Sequence, residues 1–227
     1  MSLLRIARLV AAKDLRIEAR SRIVTNQVLP FATIVMVLFA FALDNSDVLE
    51  RVAPGLIWLA TLFSLLVLVQ RSFAIEAADG AVDALRVAGV EPGGIFLSKA
   101  AALAVELLAL EVLLVALAVV LYQAEIQLGG LVLLVTTLLA ATSGLAFVGT
   151  LYGGLAAGIR GRETLLPLLL LPVVAPVLIG ATRALEAAFG TDGTATHEGW
   201  PWLGLLVVFA ATFGAVGTVA FGPLIDE

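Results

Sequence analysis

Six long apolar stretches dominate this sequence and constrain its fold more than any other feature. They lie at about residues 27–43, 52–70, 97–122, 128–153, 164–182 and 202–225. The first stretch is short, and its helix is predicted to begin earlier, near Ile23. A helix that crosses a hydrocarbon layer of ~30 Å at ~1.5 Å per residue needs roughly 20 such residues. The strands of a membrane β-barrel would alternate apolar and polar residues. The leucine-rich run at 165–171 shows no such alternation. The sequence therefore predicts an all-α, polytopic membrane protein with six transmembrane helices.

Composition excludes the main soluble classes. The 227 residues are 61% hydrophobic and 14% charged, whereas soluble domains average roughly 45–50% apolar and about 25% charged residues. A net charge of −5 offers no basic surface for nucleic acid. The chain contains no cysteine, which excludes disulfides, thiolate metal sites, iron–sulfur clusters and cysteine nucleophiles.

Residues 1–22 are predicted to form an amphipathic helix in the membrane plane, ahead of a transmembrane domain over 23–227. At about 100° per residue, four apolar side chains share an arc of about 60° opposite four arginines. The apolar set is Leu3, Ile6, Val10 and Ile17, and the basic set is Arg5, Arg8, Arg16 and Arg20. Asp14 interrupts the apolar arc. The alternative is a basic flank that only fixes topology; a signal peptide is not predicted, because no uninterrupted apolar core or cleavage site precedes the first span.

The distribution of lysine and arginine predicts the orientation. Eleven of the thirteen cations lie in the N-terminal segment, in residues 71–99 and in residues 154–164, and two lie in the alternate loops. Positive residues favour the cytoplasmic side. Both termini and the loop 71–99 are therefore predicted to be cytoplasmic, and the loop 183–200 is predicted to lie outside.

Several catalytic and ligand-binding signatures are missing from the chain. No Gly-x-x-x-x-Gly-Lys-Ser/Thr loop occurs, and neither Lys13 nor Lys99 follows a glycine, so ATP use would require a partner subunit. Ser143 lies in a span and the only histidine, His197, lies in an outer loop, which disfavours a serine nucleophile with a histidine base. His197 alone is more typical of a solvated loop residue than of a metal or haem site.

Glu106 and Glu111 are carboxylates inside the third span. Intramembrane charges are costly unless they are paired, protonated or hydrated, and they are therefore functional candidates. The two residues differ by about 140° around the helix axis, so they are not predicted to share a proton. The structural alternative is a hydrogen bond to a hydroxyl of the following span, from Thr136, Thr137, Thr142 or Thr150.

Prolines and glycines mark two further spans. Pro167, Pro172 and Pro176 remove backbone donors from the fifth span and predict a broken helix. Gly149 and Gly153 are four residues apart in the fourth span and allow close helix approach. Packing within one subunit is the interpretation favoured for this pair, and a subunit interface is the alternative.

The loop 71–99 has the pattern of a docking element. Residues 81–88 form a short helical pattern after Asp79-Gly80, stopped by Gly89 and Pro92. Such a helix between two spans is suited to bind a cleft of a cytoplasmic partner; the alternative is a simple linker. The residues predicted to contact the partner are Glu76, Asp79, Gly80, Asp83, Leu85 and Arg86.

This loop resembles the coupling segment of ABC-2-type transporter membrane subunits. The shared pattern is Glu76, Gly80, Leu85, a turn at Pro92 and a cation at Lys99. The chain departs from that pattern at residues 81–83, where many members have Thr or Ser, Leu and Glu.

Over nearly its whole length the chain is similar to the CcmB family, the permease subunit of the cytochrome c maturation ABC complex. The residues that carry this resemblance are Ala53-Pro54-Gly55-Leu56-Ile57-Trp58, the Asp79-Gly80 loop and the proline-rich segment from Leu165 to Ala184.

The resemblance implies a non-catalytic homodimeric subunit in the bacterial inner membrane. Its implied partners are a soluble ABC ATPase that binds ATP, a haem-handling membrane protein and a periplasmic haem chaperone. Haem would be a possible cargo and not a bound cofactor. The alternatives are an ABC-2 permease for a lipid, glycan or drug, an ATP-independent carrier that uses Glu106 and Glu111, and an intramembrane enzyme that uses Ser143.

Overall fold

A computed structural model describes residues 15–16, 24–43, 45–79, 91–157 and 162–225. Within these ranges the chain is helical and contains no strand. The predicted amphipathic helix, apart from residues 15–16, lies outside the described residues. So do four of the predicted partner-binding residues, Gly80, Asp83, Leu85 and Arg86.

Six helices make up the described bundle. They are α1 (Leu29–Ala42, after a π-helical turn at Val24–Val28), α2 (Ser46–Asp79), α3 (Pro92–Leu121), α4 (Leu131–Ala157), α5 (Arg162–Phe189) and α6 (Trp200–Ile225). Short 3-10 turns occupy Leu128–Gly130, Thr191–Gly193 and Thr196–Gly199.

Five of these helices are long and apolar enough to cross a membrane. The spanning segments are Ser46–Phe73, Pro92–Leu121, Leu128–Ala156, Leu165–Phe189 and Thr196–Pro223, and the apolar helix Asn26–Ala42 is shorter. The all-α, polytopic class is confirmed. The sixth crossing and the orientation remain predictions. We call the end of the bundle where α2, α4 and α6 finish the inner end, and the opposite end the outer end.

Helix boundaries differ from the predicted ones where local capping decides them. The side chain of Asn45 accepts hydrogen bonds from the backbone N–H of Asp47 and Val48, which starts α2 six residues before the predicted 52. Pro92 at the first turn starts α3 five residues before the predicted 97. At its other end α2 continues to Asp79, so residues predicted as loop are helical.

The outer loop is also shorter than predicted. The helix α5 extends to Phe189, and Gly190 then takes a positive φ of 73°, a conformation typical of the residue that follows a helix. Residues 183–189, predicted as part of a loop over 183–200, are therefore helical.

The helix α5 is continuous through its prolines. Pro167, Pro172 and Pro176 all lie within one helix, Arg162–Phe189, so the break predicted from them is not observed. Each proline removes one backbone donor, yet in an apolar medium leaving the helical state would expose many more backbone groups.

The helix α4 lies at the centre of the bundle and packs against α2, α3, α5 and α6. Two glycines of α4 allow its close approach to α2. A Cβ at Gly149 would lie 2.9 Å from Val69 Cγ2, and one at Gly153 would lie 2.6 Å from Phe73 Cδ2. Both glycines therefore contact α2 of the same chain, which confirms their predicted role in packing within one subunit.

Candidate functional site

The predicted partner-binding segment lies at the inner end, between α2 and α3. Glu76 and Asp79 belong to the last turns of α2, and Pro92 begins α3. The segment 80–90 thus joins the end of one long helix to the start of the next, and any displacement of it would act on both helices.

A buried cation lies just inside this segment. The side chain of Lys99 is buried on α3, and its Nζ lies 5.0 Å from the centroid of the Phe73 ring on α2. A lysine over an aromatic face gains a cation–π attraction that increases as water is removed. The contact connects the two helices that flank the segment 80–90.

Glu111 has a clear partner inside the bundle. Its side chain is 0% exposed, and the hydroxyl of Thr142 on α4 donates to its carboxyl oxygens at 2.6 and 2.8 Å. A buried carboxyl group requires such a partner, because an unsatisfied one costs several kcal/mol, roughly. The contact agrees with the structural alternative for Glu111 and selects Thr142 from the four predicted threonines.

Glu106 lies on another face of α3 and is half-buried. It lies five residues before Glu111, a difference of about 140° around the helix axis. Thr136 donates to the carbonyl oxygen of Val132 in its own helix at 2.7 Å.

The residues considered for enzymatic or metal chemistry are not brought together. Ser143 donates to the carbonyl oxygen of Leu139 in α4, at 2.6 Å, and His197 is exposed in the turn Thr196–Gly199. In the part of the chain that the structure describes, no three His, Cys, Asp or Glu side chains are grouped to hold a metal ion.

Phe73 and Phe96 are the residues near the segment 80–90 that sequence reasoning missed. Both rings are buried, Phe73 six residues before the end of α2 and Phe96 four residues after the start of α3. Their similar distances from the predicted partner-binding segment could have marked both phenylalanines as candidates. The sequence could not show which residues they contact, because that depends on the rotation of each helix about its axis.

The bundle of spanning-length apolar helices defines a multi-pass membrane protein. The family model described as CcmB protein matches residues 5–225. The heme exporter protein B of Paracoccus denitrificans is 31% identical, with 93% of this chain and 92% of the relative covered. The proteins of the same name from Haemophilus influenzae and Escherichia coli K12 are 31% and 32% identical, over 94% and 91% of this chain and 92% and 93% of theirs. The chain belongs to the CcmB family.

Proposed function

We propose that the chain is the membrane permease subunit of an ABC transporter for cytochrome c maturation. In this role it couples ATP hydrolysis by a partner subunit to haem export or to the release of a haem-loaded periplasmic chaperone. The observation that carries the proposal is the family match over residues 5–225, together with relatives named heme exporter protein B. The bacterial inner membrane is the compartment that follows from this role.

Under this proposal a partner subunit must supply the ATPase activity. The chain contains no phosphate-binding loop of the Gly-x-x-x-x-Gly-Lys-Ser/Thr type, so a separate subunit binds ATP. We assign the receiving surface to residues 76–91, because they run from the last turn of α2 to the residue before α3, and a push from the partner on them would act on both helices. A homodimer with two ATPase subunits, a haem-handling membrane protein and a periplasmic chaperone complete the proposed assembly.

Haem is proposed as cargo. Glu111 is buried against Thr142, and this contact favours a structural role over the proton relay that an ATP-independent carrier would need. The ATP-independent carrier is therefore the less favoured alternative.

Substitutions in the segment 80–90 test the proposal. We expect Gly80→Pro and Asp83→Lys to abolish cytochrome c maturation in cells, measured by haem staining of c-type cytochromes, while the chain still reaches the membrane by immunoblot. Asp83→Glu keeps the charge and is the matched control that should retain maturation. Wild-type cytochrome levels in both disruptive variants, or purification of the chain with an envelope-glycan ATPase, would overturn the proposal.

A further inference from the structure

Four phenylalanine rings near the inner end each lie against a glycine of a neighbouring helix. The pairs are Phe73 (α2) with Gly153 (α4), Phe96 (α3) with Gly217 (α6), Phe147 (α4) with Gly214 (α6) and Phe221 (α6) with Gly154 (α4). A Cβ at Gly217 would lie 2.5 Å from two Phe96 ring carbons, and a Cβ at Gly154 would lie 2.8 Å from a Phe221 ring carbon. Any side chain larger than hydrogen would therefore displace a ring. We call these contacts the ring–glycine pairs.

The rings also contact one another. The centroid of Phe96 lies 5.8 Å from that of Phe147 and 5.6 Å from that of Phe221, within the range of favourable aromatic pairs. Lys99, about one turn after Phe96 on α3, lies over Phe73. A continuous set of contacts thus runs from the end of α2, through the start of α3, to the ends of α4 and α6.

The helices on both sides of the segment 80–90 make ring–glycine contacts close to it. Phe73 belongs to the helix before the segment and Phe96 to the helix after it. The first turn of α3 is also close to α6, since a Cβ at Gly93 would lie 2.9 Å from the carbonyl oxygen of Thr218. The ring–glycine contacts of the two flanking helices therefore lead to α4 and α6, while α2 also packs along the proline-rich helix α5.

A ring against a glycine transmits displacement differently from two flexible side chains. Side chains at an interface can change rotamer and absorb a small shift, whereas glycine has only backbone to move. Because packed interiors have few voids, pressure on the ring moves the opposing backbone. Helix shifts of about 1–2 Å are the usual size of such movements.

We propose that Phe73 and Phe96, packed on Gly153 and Gly217, are positioning residues that pass movement of the segment 80–90 to α4 and α6. The inference rests on the proposed ABC function and names the helices that receive the motion. The proline-rich helix α5 is not among the helices named as receivers.

Distance measurements between spin labels can test this directly, because the chain has no natural cysteine. Val219 on α6 and Leu168 on α5 are 80% and 67% exposed and lie at similar distances from the inner end, and Leu128 at the outer end is 94% exposed. Two cysteine pairs, Val219→Cys with Leu128→Cys and Leu168→Cys with Leu128→Cys, would be labelled in the purified complex, with one labelled copy per complex. Distances are compared without nucleotide and with ATP and vanadate.

We expect the 219–128 distance to change by about 1–2 Å on nucleotide binding, and the 168–128 distance to change less. Phe96→Leu should abolish the 219–128 change while ATP hydrolysis and complex assembly persist. Phe63→Leu is the matched control, because that ring is half-exposed and pairs with Phe31 on α1, and it should leave the change intact.

Two results would overturn the inference while the proposed function stands. One is a nucleotide-dependent change at 168–128 with none at 219–128. The other is a 219–128 change that is the same in Phe96→Leu as in the wild type. If no ATPase purifies with the chain and neither distance responds to nucleotide, the proposed function fails and the inference fails with it.

Discussion

The two ends of the bundle are held together by different kinds of contact. At the outer end, polar groups connect segments far apart in sequence: Arg51 bonds Asp192 at 2.7 Å, and the Tyr122 hydroxyl donates to the Met36 carbonyl oxygen at 2.7 Å. At the inner end, the ring–glycine pairs connect α2, α3, α4 and α6 through apolar surfaces. Hydrogen bonds and ion pairs lose energy steeply when their geometry changes, whereas the ring–glycine pairs hold the helix ends by close packing without directional bonds, so that neighbouring helices can move together.

This difference suggests a fixed outer end and an adjustable inner end. Contacts at the outer end hold the starts of α2, α4 and α6 in place, because Asp192 bonds Arg51 of α2, and Gln127, just before the turn that leads into α4, accepts a hydrogen bond from Thr196 in the turn before α6. The segment 80–90 lies at the adjustable end, where a displacement would move helix ends without unfolding the bundle. Substitutions at matched positions can test this comparison.

The largest effect is expected at the outer end, from Gly130→Ala. A Cβ at Gly130 would overlap the backbone carbonyl group of Ala188, with its carbon atom only 2.8 Å away, so α4 and α5 would have to separate. Overpacking of this kind costs about 1–3 kcal/mol. For a chain of this size that corresponds to a fall in Tm of roughly 2–4 °C per kcal/mol, measured by thermal unfolding in detergent.

Gly129→Ala is the matched control, because a Cβ at that neighbouring position meets nothing within 4 Å. We expect its Tm to be unchanged. Equal Tm values for the two variants would show that the outer end tolerates helix separation, and the contrast between the ends would then be wrong.

The second effect, in the middle of the bundle, comes from Thr142→Val. This nearly isosteric change removes the hydroxyl that donates to buried Glu111, and leaving the carboxyl group without that donor costs about 1–3 kcal/mol. Thr136→Val is the control, since the Thr136 hydroxyl is only partly buried and bonds its own helix. Combining Thr142→Val with Glu111→Leu should restore much of the lost Tm, because both polar groups are then gone. A loss no larger than that of Thr136→Val would contradict this interpretation.

The positions of five long helices could be predicted because the bilayer imposes their length. A span needs about 20 apolar residues whatever its neighbours are, and five of the six predicted stretches correspond to spanning-length helices. Helix ends were less predictable. Asn45 and Gly190 decide them through one side-chain bond pair and one positive φ, and hydropathy contains no information on either.

The contacts between helices could be predicted only in part. The four-residue spacing of Gly149 and Gly153 indicated close approach, and α2 does approach there. Which threonine pairs with Glu111, and which glycine receives Phe96, depends on the rotation of each helix about its axis. Periodicity cannot fix that rotation in spans that are apolar on nearly every face.

The smallest effect is expected from the exposed ion pair at the outer end. Arg51 and Asp192 both lie at the surface, where ion pairs contribute about 0–1 kcal/mol and weaken with added salt. A double-mutant cycle with Arg51→Gln and Asp192→Asn measures the coupling between the two side chains as a difference in unfolding free energy. Asparagine is chosen for position 192 because it tolerates the positive φ of 54° found there. A coupling within that range that disappears at high salt would assign the rigidity of the outer end to the close backbone contact at Gly130. A coupling above about 2 kcal/mol would instead make the ion pair a principal tie, and salt alone should then loosen the outer end until it resembles the inner one.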